Sequence, residues 1–214
     1  MEFRPVELPD NLSGRLLLFR MPGRFEPFGE FLEQAARMGV TDVLCLTPMD
    51  EIAVKSSEYH RAIRAGGLPF QWHHVGIPDY GTPADPEGFR AEIEEVSSRL
   101  SRGAVVLVHC AVGIQRTGLV AVCLLQSLGV PYEEALGFVT YAGSEPSMGQ
   151  RSFAKSFSIS EGKGDAPSDL LLTRRQQELG SKRPMTPSSG PPSVPEKKRH
   201  VPKRRSTFLK TVKL

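Results

Sequence analysis

An α/β domain, a mostly parallel central sheet flanked by helices, is predicted by three features of the sequence. Four short apolar runs read as strands, the segments between them repeat at helical spacing, and one run, Ala104-Val105-Val106-Leu107-Val108, is apolar on both faces as a strand in mid-sheet must be. The first strand is Leu16-Leu17-Leu18-Phe19. Phe31, Leu32, Ala35 and Met38 then recur on one helical face and stop at Gly39, a residue suited to a helix C-terminus. Val43-Leu44-Cys45-Leu46 and Phe70-Gln71-Trp72-His73-His74-Val75 are the second and third strands. A second helix carries Phe89, Ile93, Val96 and Leu100. Asp85 can cap its free N–H groups, Pro86 fits its first position, and it stops near Gly103. The fourth strand ends at His109-Cys110 and leads into a largely apolar helix from Thr117 to Leu128, closed by Gly129. Pro131 opens a last helix that reaches about Tyr141.

The chain has 214 residues, 39% of them hydrophobic and 24% charged, with a net charge of +3. That net value hides a division. Residues 161–214 hold 13 Lys and Arg against 5 Asp and Glu, a net +8, and leave 14 against 19, a net −5, for residues 1–160. The expected organisation is therefore a catalytic domain over 1–160 and a basic, Pro- and Ser-rich disordered tail over 161–214, whose seven prolines and sparse apolar residues cannot offset chain entropy. A short helix around Leu170–Leu179 is the one element the tail could hold. No apolar run approaches the roughly 20 residues of a membrane span, and Met1-Glu2-Phe3-Arg4-Pro5 lacks a secretory layout, so a cytoplasmic location is expected. The run Lys197–Arg205 could add nuclear import, or bind acidic partners or RNA. Cys45, Cys110 and Cys123 are too few for a disulfide framework and are read as thiols. Cys45 and Cys123 fall on apolar faces and read as core, with exchange between Cys45 and an oxidised Cys110 a lesser alternative. His73 and His74 show no metal-ligand spacing and no cofactor is implied.

The chemistry concentrates at His109-Cys110-Ala111-Val112-Gly113-Ile114-Gln115-Arg116-Thr117-Gly118, where a buried strand passes into a helix. Backbone N–H groups from Ala111, Val112, Gly113, Ile114 and Gln115 can wrap inward and, with the helix N-terminus, form a cradle for a dianion. Gly113 lets the loop bend close to its ligand. The same donors stabilise a thiolate, making Cys110 a nucleophile. The planar fork of Arg116 can grip two phosphoryl oxygens. Thr117 can donate a hydroxyl hydrogen bond to the sulfur, and His109 orders the loop rather than carrying protons. A leaving oxygen needs an acid, and Asp79, in Gly76-Ile77-Pro78-Asp79-Tyr80-Gly81-Thr82-Pro83 after the third strand, is the candidate. Asp85 is its rival but already has a capping role.

These residues resemble the signature of the protein tyrosine and dual-specificity phosphatases, His-Cys-x-x-Gly-x-x-Arg-Ser/Thr, at every defined position. Arg20-Met21-Pro22-Gly23-Arg24-Phe25, the Asp79 loop and Gly143-Ser144-Glu145-Pro146-Ser147-Met148-Gly149-Gln150 are similar to the cyclin-dependent-kinase-associated phosphatases within that group. The resemblance covers roughly residues 14–157. It implies the phosphatase fold, no metal, a phosphorylated protein as substrate with dual specificity favoured, and Gln150 as a helper in positioning water. Tyr80 departs from the small residue those relatives carry after the acid.

Two further readings stand beside this one. A phosphatase-like binding module could capture phosphorylated partners without turnover, although intact Cys110, Arg116 and Asp79 argue against it. The substrate could also be a phosphoinositide or an RNA 5′-phosphate. Sulfurtransferases of the rhodanese type place a cysteine loop similarly but lack the upstream acid.

Overall fold

The structure is a computed structural model that describes residues 2–157, so the tail expected over 161–214, its candidate helix and the Lys197–Arg205 run lie outside the described residues. Five strands form one sheet in the order β1-β2-β5-β3-β4: β1 (Arg4–Val6), β2 (Arg15–Arg20), β3 (Asp42–Cys45), β4 (Gln71–His74) and β5 (Val105–Cys110). β1 runs antiparallel to β2, and the other pairings are parallel. The mostly parallel sheet expected from the sequence is therefore present, with the both-faces-apolar strand β5 between β2 and β3.

Register divides the side chains between two cores with the period of two that strands impose. Leu16, Leu18, Val106 and Val108 face α4 (Pro86–Ser101), α5 (Gln115–Ser127), α6 (Tyr132–Tyr141) and α7 (Met148–Ser156). Leu17, Phe19 and Leu107 face the opposite side, where Phe28, Phe31 and Ala35 of α1 (Phe28–Met38) and Tyr59 of α3 (Ser57–Ala65) pack. Asp85 caps α4 as expected, accepting the Gly88 N–H at 3.0 Å with Pro86 in the first turn. Cys45 and Cys123 are buried core residues, and burial pushes the Cys45 thiol up to about 12 and that of Cys123 well up. Both therefore stay protonated packing groups.

Four elements are additional to the sequence reading. β1 is three residues long and shows no alternation. In α2 (Met49–Lys55) only Ile52 is buried, and in α3 only Tyr59. In α7 only Gln150 and Ala154 are buried. Each is too short or too polar to print a period, and each is held by its neighbours instead. Two boundaries also move: the third strand contracts to Gln71–His74, and α5 begins at Gln115 rather than Thr117.

His73 and His74 lie in β4, and among the described residues no group of three or more His, Cys, Asp or Glu side chains is placed to hold a metal ion. His73 instead bridges two elements. Its Nδ1 meets Glu92 Oε1 at 2.6 Å and its Nε2 meets Asp42 Oδ1 at 3.1 Å, while Arg99 also bonds Asp42. The Glu92 hydrogen bond, more than burial opposes it, raises the His73 pKa above its ordinary value of 6.5. A raised folded-state pKa gives stability that is complete below the unfolded value and fades as pH rises through the folded one. His73→Gln should therefore lower unfolding free energy more at about pH 5.5 than at about pH 9. Urea melts of both proteins at the two pH values check this, and equal losses would refute it.

Candidate active site

The strand β5 delivers His109 and Cys110 to the C-terminal edge of the sheet, where α5 begins. This is the edge at which open α/β sheets bind ligands. Cys110 is 1% exposed, and its Sγ accepts the Gly113 N–H at 3.2 Å. The rest of the loop is aimed by ties on its carbonyls. Arg24 Nη1 donates to Ala111 O at 2.9 Å, and Gly113 O accepts from Ser144 Oγ at 2.7 Å and from Arg4 Nη2. Because a trans peptide points its C=O and the following N–H in opposite directions, pulling these carbonyls outward turns the N–H groups of Val112 and Ile114 inward. The first-turn N–H groups of α5 have no intrahelical acceptor and add to the same cradle.

Two glycines are required by close approach. Gly113 has φ +76°, and a Cβ there would lie 2.4 Å from Phe19 O on β2. A Cβ on Gly118 would lie 2.9 Å from Pro146 Cδ, so this glycine lets α5 seat against the segment that carries Ser144. Arg4 was not singled out from sequence, and Arg24 and Ser144 appeared only within motifs. Nothing in their spacing marks a tie to a loop far along the chain.

His109 is fully buried beside the nucleophile. Its Nε2 meets Tyr59 Oη at 2.9 Å, and Trp72 Nε1 donates to the same oxygen at 2.9 Å. A backbone carbonyl only accepts, so Nδ1 donates to Cys110 O and Nε2 accepts from Tyr59 Oη. The His109 proton is then on Nδ1, 3.5 Å from Cys110 O. Burial drives the His109 pKa down to about 3, so the ring is neutral.

Arg116 is 1% exposed and grips Glu51 in a two-pronged pair, Nη1 to Oε2 at 2.8 Å and Nη2 to Oε1 at 3.1 Å, with Nη1 also donating to Ile77 O at 3.1 Å. The paired guanidinium holds Glu51 far down, at about 2. Burial alone would lower Arg116, but Glu51, Cys110 and Asp79 together raise it. The Nε–H has no protein hydrogen bond among the described residues and Nη2 also lies 3.2 Å from Asp79 Oδ1, so a phosphate gripped through both competes with that carboxylate at Nη2. Glu51 was missed by sequence reasoning because a glutamate in a short polar helix carries no signal of its distant partner.

Asp79 lies above the cradle. Its Oδ1 is 3.2 Å from Arg116 Nη2 and its side chain is 58% exposed. The next residue, Tyr80, has φ +58°, in the left-handed region unusual for a bulky side chain, and Gly81 N–H closes the turn on Pro78 O at 2.9 Å. The loop is clamped from α7: Gln150 Nε2 donates to Gly81 O at 2.8 Å, and Gln150 Oε1 accepts the Ser147 N–H at 3.0 Å. These bonds make Gln150 a tie between α7 and the Asp79 loop. Thr117 differs from expectation more sharply. Its Oγ1 is buried and makes no hydrogen bond, so the expected donation to Cys110 Sγ is not formed, and the Gly113 N–H serves the sulfur instead. Ala111, Val112, Ile114, Gln115 and Arg116 line a cleft of about 280 Å³ together with Asp79, Tyr80, Arg24 and Lys55.

A cysteine at the foot of an N–H cradle, on a parallel sheet between the central strand and a buried helix, defines a protein of the tyrosine-phosphatase-like fold class. The chain belongs to the Swiss Army Knife protein family with a DSP-PTPase phosphatase domain, whose family model matches residues 26–158. It is similar to human dual specificity protein phosphatase 9, at 28% identity over 170 residues that cover 76% of this chain and 38% of that protein. The chain spans well under half the length of the curated relatives it matches. Among solved structures, a kinase associated phosphatase with its catalytic-site cysteine replaced by serine shares the fold, with a TM-score of 0.64, 22% identity and coverage of 73% of this chain and 93% of that one. Tk-PTP in its active form gives a TM-score of 0.53 at 25% identity, covering 69% and 96%.

Proposed function

We propose that this protein hydrolyses phosphomonoesters on protein side chains, phosphotyrosine and phosphoserine or phosphothreonine, through a phospho-cysteine intermediate. The observation that carries the reading is the Cys110 sulfur at the foot of a loop whose carbonyls are tied outward, with Arg116 and Asp79 converging above it. An incoming dianion takes the inward N–H groups and the Nε and Nη2 N–H groups of Arg116, and competes with Asp79 for the guanidinium at Nη2. Cys110 Sγ attacks phosphorus, the P–O bond breaks, and the leaving oxygen receives a proton from Asp79. Water then attacks phosphorus, giving its proton to Asp79 as the S–P bond breaks and the thiolate returns.

The first test is turnover of para-nitrophenyl phosphate by the full chain with EDTA present, where persistent activity is expected and absence of activity favours the binding-module reading. Asp79→Ala should slow phosphoserine and phosphotyrosine esters by about 10²–10⁴-fold and para-nitrophenyl phosphate much less, since general acid catalysis matters most for poor leaving groups. Equal slowing of both would move the acid elsewhere, with Asp85 next. Faster hydrolysis of an RNA 5′-phosphate or a phosphoinositide than of any phosphopeptide would overturn the protein substrate. We also place the protein in the cytoplasm with access to the nucleus through Lys197–Arg205, a reading supported by the basic sequence of that run. A fluorescent fusion whose distribution is unchanged when those Lys and Arg residues become Ala would refute the import role.

A further inference from the structure

A second cleft, of about 460 Å³, adjoins the phosphate cleft and shares Ile114 and Gln115 with it, its remaining wall being Glu145, Pro146, Ser147, Met148 and Arg151. The polar groups on its α7 side are matched to one another. Arg151 donates from Nε to Pro146 O at 3.1 Å and from Nη2 to Glu145 Oε1, and Ser147 and Gln150 complete each other's capping box at the start of α7. Two large apolar side chains stand exposed on it, Met148 at 87% and Ile114 at 44%. Large apolar side chains next to the phosphate cleft, with Arg151, Glu145 and Ser147 engaged with one another and Gln115 lying on the side shared with that cleft, favour an apolar occupant, because it would bury exposed apolar surface without stranding those polar groups.

We propose that this cleft is a specificity subsite that receives a large apolar side chain, such as Leu or Phe, from a residue close in sequence to the phosphorylated one in a protein substrate. The inference rests on the phosphoprotein reading above and deepens it. Continuity of the two clefts through Ile114 and Gln115 is what ties the apolar side chain to the scissile phosphate. Side chains on one face of an extended segment recur every second residue, roughly 7 Å, so a peptide lying across both clefts can fill them together. Met148 suits the task because an unbranched thioether repacks around side chains of different shape. It also follows the Ser147 cap, where the side chain has no packing role in the helix.

The test compares kcat/KM of the full chain on phosphopeptides that carry Leu or Ser at each of the three positions either side of the phosphoresidue, with para-nitrophenyl phosphate as the substrate too small to reach the second cleft. Leu at one position should raise kcat/KM about fivefold to tenfold, the scale of covering one apolar side chain. Met148→Ser should abolish that preference and leave para-nitrophenyl phosphate turnover unchanged. Met148→Glu, which suits a helix first turn and so preserves the fold, should invert the preference. Normal para-nitrophenyl phosphate turnover with equal rates on all peptides, or a Leu preference that survives both substitutions, overturns the subsite alone. No turnover of para-nitrophenyl phosphate by the wild type overturns the phosphatase reading and the subsite with it.

Discussion

Cys110→Ser is expected to reduce turnover of para-nitrophenyl phosphate by ~10⁴-fold or more, on the scale of removing a covalent nucleophile, while inorganic phosphate affinity changes by less than about threefold. The two readouts separate because the groups are separate. Chemistry needs the sulfur lone pair, and the anion is held by N–H groups of Val112, Ile114 and the start of α5 together with Arg116. The substitution removes no volume of note from a residue that is 1% exposed, and Ser Oγ can accept the same Gly113 N–H. Calorimetric titration with inorganic phosphate and a single-turnover assay make the comparison. If Ser at this position kept a tenth of the wild-type rate, the covalent mechanism would fall.

The second large effect is expected at the Arg116–Glu51 pair. Arg116→Lys should lower kcat/KM by about 10³-fold, because a point charge on a flexible stem cannot hold Glu51 and two phosphoryl oxygens with fixed geometry. Glu51→Ala should lower it by about 10- to 100-fold without touching the substrate, and destabilise the fold by about 2–3 kcal/mol by leaving a buried guanidinium with only Asp79 nearby. A kcat/KM for Glu51→Ala equal to wild type would show that the carboxylate does not position Arg116. The pair also predicts an acid limit. Glu51 falls from an ordinary 4.5 to about 2, so its stability contribution is present above pH 4.5 and lost as pH falls towards 2. His109 falls from 6.5 to about 3, so its contribution begins to be lost below pH 6.5. Wild-type stability should therefore decline from about pH 6.5 downward, and Glu51→Gln should flatten the part of that decline below about pH 4.5. Thermal melts across the range measure both.

The strands β2 to β5, the helices α1, α4, α5 and α6, and the stretch from His109 to Gly118 could be read directly, because each carries a local signal. Strand β5 is apolar on both faces, α4 has Asp85 and Pro86 at its start, and the cysteine loop must concentrate His, Cys, Gly and Arg within a few positions to surround one anion. Asp79 was legible as the acidic residue of a turn after a strand, and its 3.2 Å approach to Arg116 agrees with a place above the cradle. The helices α2 and α7 were not legible, since α2 buries only Ile52 and α7 only Gln150 and Ala154.

By itself the sequence determined the α/β class, the central strand and the candidates for nucleophile and phosphate-gripping residue, Cys110 and Arg116, because these depend on periodicity and on residues adjacent in the chain. Only the tertiary structure decided what aims them. Glu51 pairs with Arg116 across 65 positions, Arg24 reaches Ala111 across 87 and Arg4 reaches Gly113 across 109. It also decided that Thr117 Oγ1 is left unpaired while the Gly113 N–H serves the sulfur. Such contacts depend on how separate elements pack. A single arginine, serine or glutamate on a polar segment looks the same in sequence whether it faces water or holds the catalytic loop in place.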